Sequence, residues 1–196
     1  MIRVGEGVVF TTASDGDMRH DRAARAGLGV PAEWATVRQV HGSTVVPVAT
    51  AGDHGDADGM TTSSMELPLA VFTADCLGMV LHGPSSVTVV HAGWRGLDAG
   101  VVETAVRALG EVTTAAIGPH IRSCCFEVGP EVADRFPAHL ARTTWGTTSV
   151  DLTAAAIARL PVEPEVVDIC TRCGTDTFSH RRDATTSRMA AVGWVT

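Results

Sequence analysis

Nine short runs, most of them apolar throughout, dominate this sequence. They are Val4 to Thr11, Trp34 to Val40, Thr44 to Ala49, Leu67 to Thr73, Leu77 to Leu81, Ser86 to His91, Thr113 to Ile117, Val166 to Cys170 and Met189 to Val195. A strand with one wet face alternates apolar and polar residues, so runs that stay apolar predict sheets covered on both sides. Four helical patterns can supply the cover: Met18 to Leu28, Leu97 to Leu109, Glu131 to Phe136 and Thr153 to Leu160, the last with Asp151 placed as its cap. Strands and helices are intermixed along the chain, which predicts a mixed α/β (α+β) fold with residues 1–196 as a single domain. Ala51 to Thr62, rich in Gly, Asp and Thr, reads as a surface loop, and Ala141 to Thr148 as a second.

With 196 residues, 45% of them hydrophobic and 19% charged, the chain can bury a full core. A formal charge of -7 with no cluster of Lys or Arg argues against a nucleic-acid backbone as partner and favours a small substrate. Met1 to Phe10 holds Arg3 and Glu6 and lacks an apolar core of signal-peptide length, and no stretch approaches a membrane span, so a cytoplasmic protein is expected. Five cysteines, at 76, 124, 125, 170 and 173, are odd in number and unevenly placed, unlike a secreted disulfide framework. They read as reduced thiols.

Three blocks interrupt the strand pattern with residues that suit a metal: Gln39-Val40-His41-Gly42, Thr73-Ala74-Asp75-Cys76 and His91-Ala92-Gly93-Trp94-Arg95-Gly96. Sheet enzymes carry their chemistry at such strand ends. His41, Cys76 and His91 would supply the three protein ligands of a catalytic zinc, leaving a fourth position open. Spacing alone leaves the bland alternative standing, since a buried Cys or a hydrogen-bonded His is ordinary in a core. Copper is the rival metal, but a blue-copper site wants clustered ligands and a weak axial Met, and neither Met60 nor Met79 has positional support.

The blocks occur in order with others: Phe10-Thr11-Thr12, Asp56-Ala57-Asp58-Gly59, Ile117-Gly118-Pro119, Cys124-Cys125-Phe126-Glu127-Val128-Gly129 and Phe178-Ser179-His180-Arg181-Arg182-Asp183. In this order the chain resembles the bacterial laccase-domain family, once described as polyphenol oxidases and also called YlmD/YfiH-type purine nucleoside phosphorylases or peptidoglycan editing factors. The resemblance covers nearly the whole chain. It implies a layered α/β/β/α fold, His41, Cys76 and His91 as zinc ligands, and phosphorolysis of adenosine, inosine and S-methyl-5'-thioadenosine with adenosine deaminase activity. Nucleoside and phosphate are the implied partners; the motifs specify no oligomeric interface.

Phosphorolysis needs a bound phosphate, stabilisation of an oxocarbenium-like sugar and neutralisation of the departing base. Arg95, in a Gly-bounded turn after a strand, is placed to offer a guanidinium fork to phosphate, with a surface ion pair as the alternative. Asp75 is the candidate proton-handling or metal-orienting carboxylate, with a turn aspartate as the alternative. Trp94 could stack on a purine or simply pack. Of Arg181 and Arg182, at least one should be structural. The chain has no tyrosine, so acid–base work falls to Asp, Glu, His or water on a metal. His120 could approach the site, but no role is assigned to it or to His20, His54, His82 and His139. Cys170 and Cys173 form a C-x2-C, a spacing found in zinc knuckles and redox motifs. A knuckle needs a second pair, and Cys124-Cys125 are awkwardly adjacent, so those two are read as core fillers.

Several residues depart from the family pattern. The loop after Thr12 is shortened, Leu77-Gly78 replaces a small residue and Pro, Phe126 and His180 stand where Tyr is usual, and Ser187 where Gly is. The ligand residues are unaffected. An open pocket of altered specificity would keep an alternative alive, a hydrolase that edits peptidoglycan precursors. A copper polyphenol oxidase, the older label, would need several coupled coppers and more ligands than the motifs supply.

Overall fold

Strands buried on both faces need cover on both faces, and the chain provides it by stacking two sheets between helical layers. The computed structural model describes residues 1–31 and 33–196. Its strands are β1 (Ile2–Arg3), β2 (Val8–Phe10), β3 (Ala35–Arg38), β4 (Val45–Pro47), β5 (Gly52–Asp56), β6 (Gly59–Thr62), β7 (Leu69–Thr73), β8 (Leu77–His82), β9 (Val87–Ala92), β10 (Thr114–Ile117), β11 (Leu140–Arg142), β12 (Thr148–Val150), β13 (Glu165–Val166) and β14 (Met189–Gly193). Its α-helices are α1 (Arg22–Ala26), α2 (Trp94–Asp98), α3 (Val101–Leu109), α4 (Pro130–Ala133), α5 (Leu152–Ile157) and α6 (His180–Asp183).

One six-stranded sheet runs β1-β2-β14-β7-β3-β5 and the other β13-β10-β8-β9-β6-β4, each mixing parallel and antiparallel pairs. Phe10, Leu69, Val71 and Ala191 of the first sheet pack against Met60, Val80, Val87 and Val89 of the second. The outer face of the second sheet, with Leu77, Met79, Leu81 and Val90, is covered by Leu97, Val101, Val102 and Ala105 of α2 and α3 and by Leu152, Ala155 and Ala156 of α5. Against the outer face of the first sheet, Val9, Ala70, Phe72, Ala190 and Val192 meet Met18, Leu28, Val30 and Trp34. Each fully buried aliphatic side chain contributes roughly 1.5–3 kcal/mol, so the three apolar layers are the main force holding the stack. The result is the expected α/β/β/α layering. Gly78 lets the sheets approach: a Cβ there would stand 2.6 Å from Cβ of Ala191 in the opposite sheet.

Seven of the nine expected strands are present, several of them shorter; of Val4 to Thr11 only Val8–Phe10 is strand, with β1 preceding it, and of Val166 to Cys170 only Val166 belongs to a strand, with Cys170 in an isolated bridge. Both expected surface loops need correction. Residues 51–62 contain β5 and β6; β5 is a polar edge strand whose Gly, Asp and His composition hides its pairing with β3, and β6 lies between β4 and β9. Residues 141–148 belong to a hairpin of β11 and β12. The first helix starts four residues later than its apolar pattern, because Asp21 caps it by accepting bonds from the N–H groups of Ala23 and Ala24. Leu97 to Leu109 is split at Gly100, which has φ +83° and begins α3. Asp151 does cap α5, accepting from the Ala154 N–H at 2.9 Å.

Candidate metal centre and active-site cavity

The chain crosses from the first sheet to the second between β7 and β8, and Asp75 and Cys76 lie in that short link. Beside it, His41 follows the end of β3, and His91 sits near the end of β9, paired in register with Gly78 of β8. One ligand atom from each of His41, Cys76 and His91 falls within 4.8 Å of the others. His41 Nε2 stands 4.0 Å from Cys76 Sγ, and the two imidazole rings meet edge to face at 4.8 Å between centroids.

Local backbone explains how they converge. His41 has φ 61° and Asp75 φ 106°, both in the half of conformational space that non-glycine residues avoid, a strain expected where side chains must be aimed. Gly93 leaves the remaining room, since a Cβ there would lie 3.1 Å from Cys76 Sγ and 3.1 Å from His41 Cδ2. Gln39 extends the β3–β7 ladder with its side chain, donating to the Phe72 carbonyl and accepting from the Phe72 N–H, both at 2.8 Å.

The sequence reading missed Asp58, which quietly organises the site. Its fully buried carboxylate contacts His91 Nδ1 at 2.9 Å and accepts from the N–H groups of His41 at 2.9 Å and Gly42 at 2.6 Å. Burial works against its charge, but the His91 bond and these backbone donors hold its carboxyl below the usual range. With Nδ1 committed to Asp58, His91 has Nε2 left for a metal. The signal was present in Asp56-Ala57-Asp58-Gly59, a block read as loop.

Burial also resists ionisation of the Cys76 thiol, yet the charge on His91 and bonds from both imidazoles draw it down to about 6. His91 is pushed up to about 9, because Cys76 and Asp58 outweigh the cost of burying its charge. A thiolate beside two imidazoles is a donor set that suits zinc, and the missing Cβ at Gly93 keeps the converging atoms clear.

A cavity of about 450 Å³ opens over these three residues. Arg19, Arg95, Arg181 and Arg188 line it together with His180, while Asp75 is its one carboxylate among the described residues. In a chain of net charge -7 this is a concentrated cationic wall. Arg95 stacks its guanidinium 4.3 Å from the Trp94 ring centroid, and both residues face the cavity. Trp94 also packs against the core under α2.

Asp75 is buried and ties two loops to the crossover. Oδ1 accepts from Thr171 Oγ1 at 2.6 Å, and Oδ2 from the Arg181 N–H at 2.7 Å. A carboxylate has about four acceptor sites, so two bonds leave it capacity on the cavity side. Arg181 reaches the cavity and lies over Phe126, whereas Arg182 is structural, donating to the carbonyls of Thr171, Gly174 and Thr177. His120 is fully buried away from the cavity lining, donating from Nδ1 to the Gly118 carbonyl at 2.8 Å and accepting at Nε2 from Thr153 Oγ1 at 2.7 Å. All five cysteines are free thiols. Cys124 and Cys125 are more than core fillers: their sulfurs meet those of Cys170 and Cys173 in a second cluster.

Known proteins resemble the chain in sequence and in fold. Residues 16–196 match the family model described as multi-copper polyphenol oxidoreductase laccase. The chain is 41% identical over 192 residues to a purine nucleoside phosphorylase of Streptomyces coelicolor, an alignment covering 88% of this chain and 79% of the relative. It is 34% identical over 184 residues to the purine nucleoside phosphorylase YfiH of Shigella flexneri, covering 85% of this chain and 75% of that one. Among solved structures, YlmD from Geobacillus stearothermophilus superposes with a TM-score of 0.79 at 27% identity, covering 97% of this chain and 93% of its own. The YfiH protein of Bacillus licheniformis shares the fold, with a TM-score of 0.82 over 96% of this chain and 92% of its own at 24% identity.

Proposed function

The chain belongs to the multi-copper polyphenol oxidoreductase laccase family, several of whose members carry the name purine nucleoside phosphorylase, and we propose that it is a zinc-dependent enzyme of that second kind. Its substrates in this reading are adenosine, inosine and S-methyl-5'-thioadenosine, each with phosphate as co-substrate, and adenosine deamination is a side activity. The observation that carries the reading is the joining of a His, Cys, His donor set to an arginine-lined cavity in an acidic protein. Phosphate and a purine nucleoside together need a strong anion site and a half-apolar wall. Phe72, Trp94, Ile121, Phe126 and Leu152 offer the second, and the arginines the first.

His41, Cys76 and His91 would hold the zinc, with Asp58 fixing His91. When bound, zinc supplies a Lewis acid at the cavity floor. Arg95 receives phosphate on its guanidinium fork, supported by the charge of Arg181 and Arg188. A phosphate oxygen then forms a bond to C1' as the bond from C1' to the base nitrogen breaks, and the bonding pair leaves with the base. Asp75 holds the cavity wall in register through Thr171 and Arg181, and with His180 it supplies the cavity's proton-carrying side chains. In deamination the same groups serve proton transfer as water adds at C6 of adenosine and ammonia departs.

The family description points to copper chemistry, but reduction of oxygen by four electrons requires several coupled coppers. Among the described residues, metal-type donors gather in two clusters, one of His, Cys and His and one of cysteines alone, which supports the zinc reading. We place the enzyme in the cytoplasm as one domain across residues 1–196, acting on small molecules. No helix is long and apolar enough to cross a membrane among the described residues. Phosphate-dependent formation of ribose 1-phosphate and free hypoxanthine from inosine tests the proposal; oxygen uptake with phenols, or amino-acid release from a muropeptide precursor without base release, would overturn it.

A further inference from the structure

We propose that Cys124, Cys125, Cys170 and Cys173 form a second, structural metal site, a tetrathiolate centre for a thiophilic divalent cation such as Zn²⁺. The four Sγ atoms lie within 4.8 Å of one another. Cys124 Sγ stands 3.7 Å from Cys125 Sγ and 3.8 Å from Cys173 Sγ, and Cys125 and Cys173 are 3.0 Å apart. With Zn–S bonds of about 2.3 Å, a regular tetrahedron of sulfurs has edges of about 3.8 Å. The cluster is therefore already near the size of a mononuclear site, whereas a disulfide needs sulfurs about 2.05 Å apart.

The fold brings the two pairs together by extending the parallel pairing of β10 with β13. Farther along, His120 and Cys170 form an isolated parallel bridge, shifted by one residue from the β10–β13 register, with the His120 N–H bonded to the Ile169 carbonyl and the Thr171 N–H to the His120 carbonyl. Beyond it, residues 122–126 turn back on themselves, the N–H groups of Cys125 and Phe126 both bonding to the Arg122 carbonyl. Residues 170–174 form the second turn, closed by a 2.8 Å bond from the Gly174 N–H to the Cys170 carbonyl. The backbone N–H of Arg122 donates to Cys170 Sγ at 3.4 Å, a contact that supports a sulfur carrying negative charge. Adjacent cysteines can share one centre here because the turn at 122–126 directs both sulfurs toward Cys173.

This centre would staple the wall of the cavity. Thr171, inside the C-x2-C turn, donates to Asp75, and Phe126, next to Cys125, lines the cavity beneath Arg181. A cation holding 124–125 to 170–173 fixes both contacts from behind. The site is distinct from His41, Cys76 and His91 and does not rest on the phosphorylase reading.

The test is metal analysis of the full chain purified under reducing conditions and reconstituted with Zn²⁺, then with Co²⁺. Wild type should hold two equivalents of zinc, Cys170→Ser/Cys173→Ser one, and Cys76→Ala one. The Co²⁺ form of Cys76→Ala should keep a strong sulfur-to-cobalt charge-transfer band, and Cys170→Ser/Cys173→Ser should lose most of it. If the double variant does not fold, the band in Cys76→Ala decides alone. Cys76→Ala that binds no metal, or a double variant that binds as much zinc as wild type, would overturn the proposal. So would native protein lighter by two hydrogens with a Cys125–Cys173 disulfide and no tetrathiolate spectrum after reduction and reconstitution.

Discussion

Asp58 Oδ1 lies 2.9 Å from His91 Nδ1, and the same carboxylate grips the backbone of His41 and Gly42. One buried acid thus sets the tautomer of one imidazole and the position of the other. Asp58→Asn keeps the volume but replaces one acceptor oxygen with a donor. Zinc affinity should fall about 10–100-fold, measured by competition with a chromophoric chelator. An unchanged affinity would remove Asp58 from the site's machinery.

Gly93 bears on the same centre through the room it leaves beside Cys76 and His41. In Gly93→Ala the new methyl group meets Cys76 Sγ and His41 Cδ2, each at 3.1 Å. Overpacking of this kind costs about 1–3 kcal/mol, so the metal dissociation constant should rise by about tenfold while circular dichroism stays that of wild type. Equal metal affinity in the variant would contradict the convergence described.

Arg95 faces the cavity and, among the described residues, forms no ion pair with a carboxylate. Arg95→Ala should raise KM for phosphate by about tenfold or more and leave KM for inosine nearly unchanged. Arg95→Lys, which keeps charge but not the fork, should fall between them. Equal losses for both substrates would mean that Arg95 shapes the cavity rather than binding phosphate.

His120 gives the fold a pH dependence apart from the chemistry. Burial lowers its pKa to about 4, against 6.5 for a free imidazole, and in the neutral ring Nδ1 donates to the Gly118 carbonyl while Nε2 accepts from Thr153. Between those values the unfolded chain binds a proton that the folded chain refuses, so stability is held above pH 6.5 and lost as the pH falls toward 4. The loss should approach about 3 kcal/mol in urea titrations, and His120→Gln should flatten it.

The apolar strands were legible because burial on both faces writes itself as uninterrupted Val, Leu and Ala. The edge strand β5 was not, since Gly52–Asp56 faces solvent and pairs only on one side. His41, Cys76 and His91 could be named from their blocks, but their meeting depends on a sheet-to-sheet crossover that spacing does not reveal. Asp58 was hidden for a related reason: an acid in a Gly- and Asp-rich segment looks solvated until both sheets close over it. The four cysteines were misleading as a list, because only the β10–β13 ladder makes an adjacent pair and a C-x2-C pair neighbours.

The most direct measurement compares zinc content and phosphate-dependent base release from inosine and adenosine in wild type and Cys76→Ala. Wild type should release hypoxanthine and adenine only with phosphate present, and Cys76→Ala should lose that activity together with one equivalent of zinc. Base release that persists in a Cys76→Ala protein lacking that zinc would contradict the account.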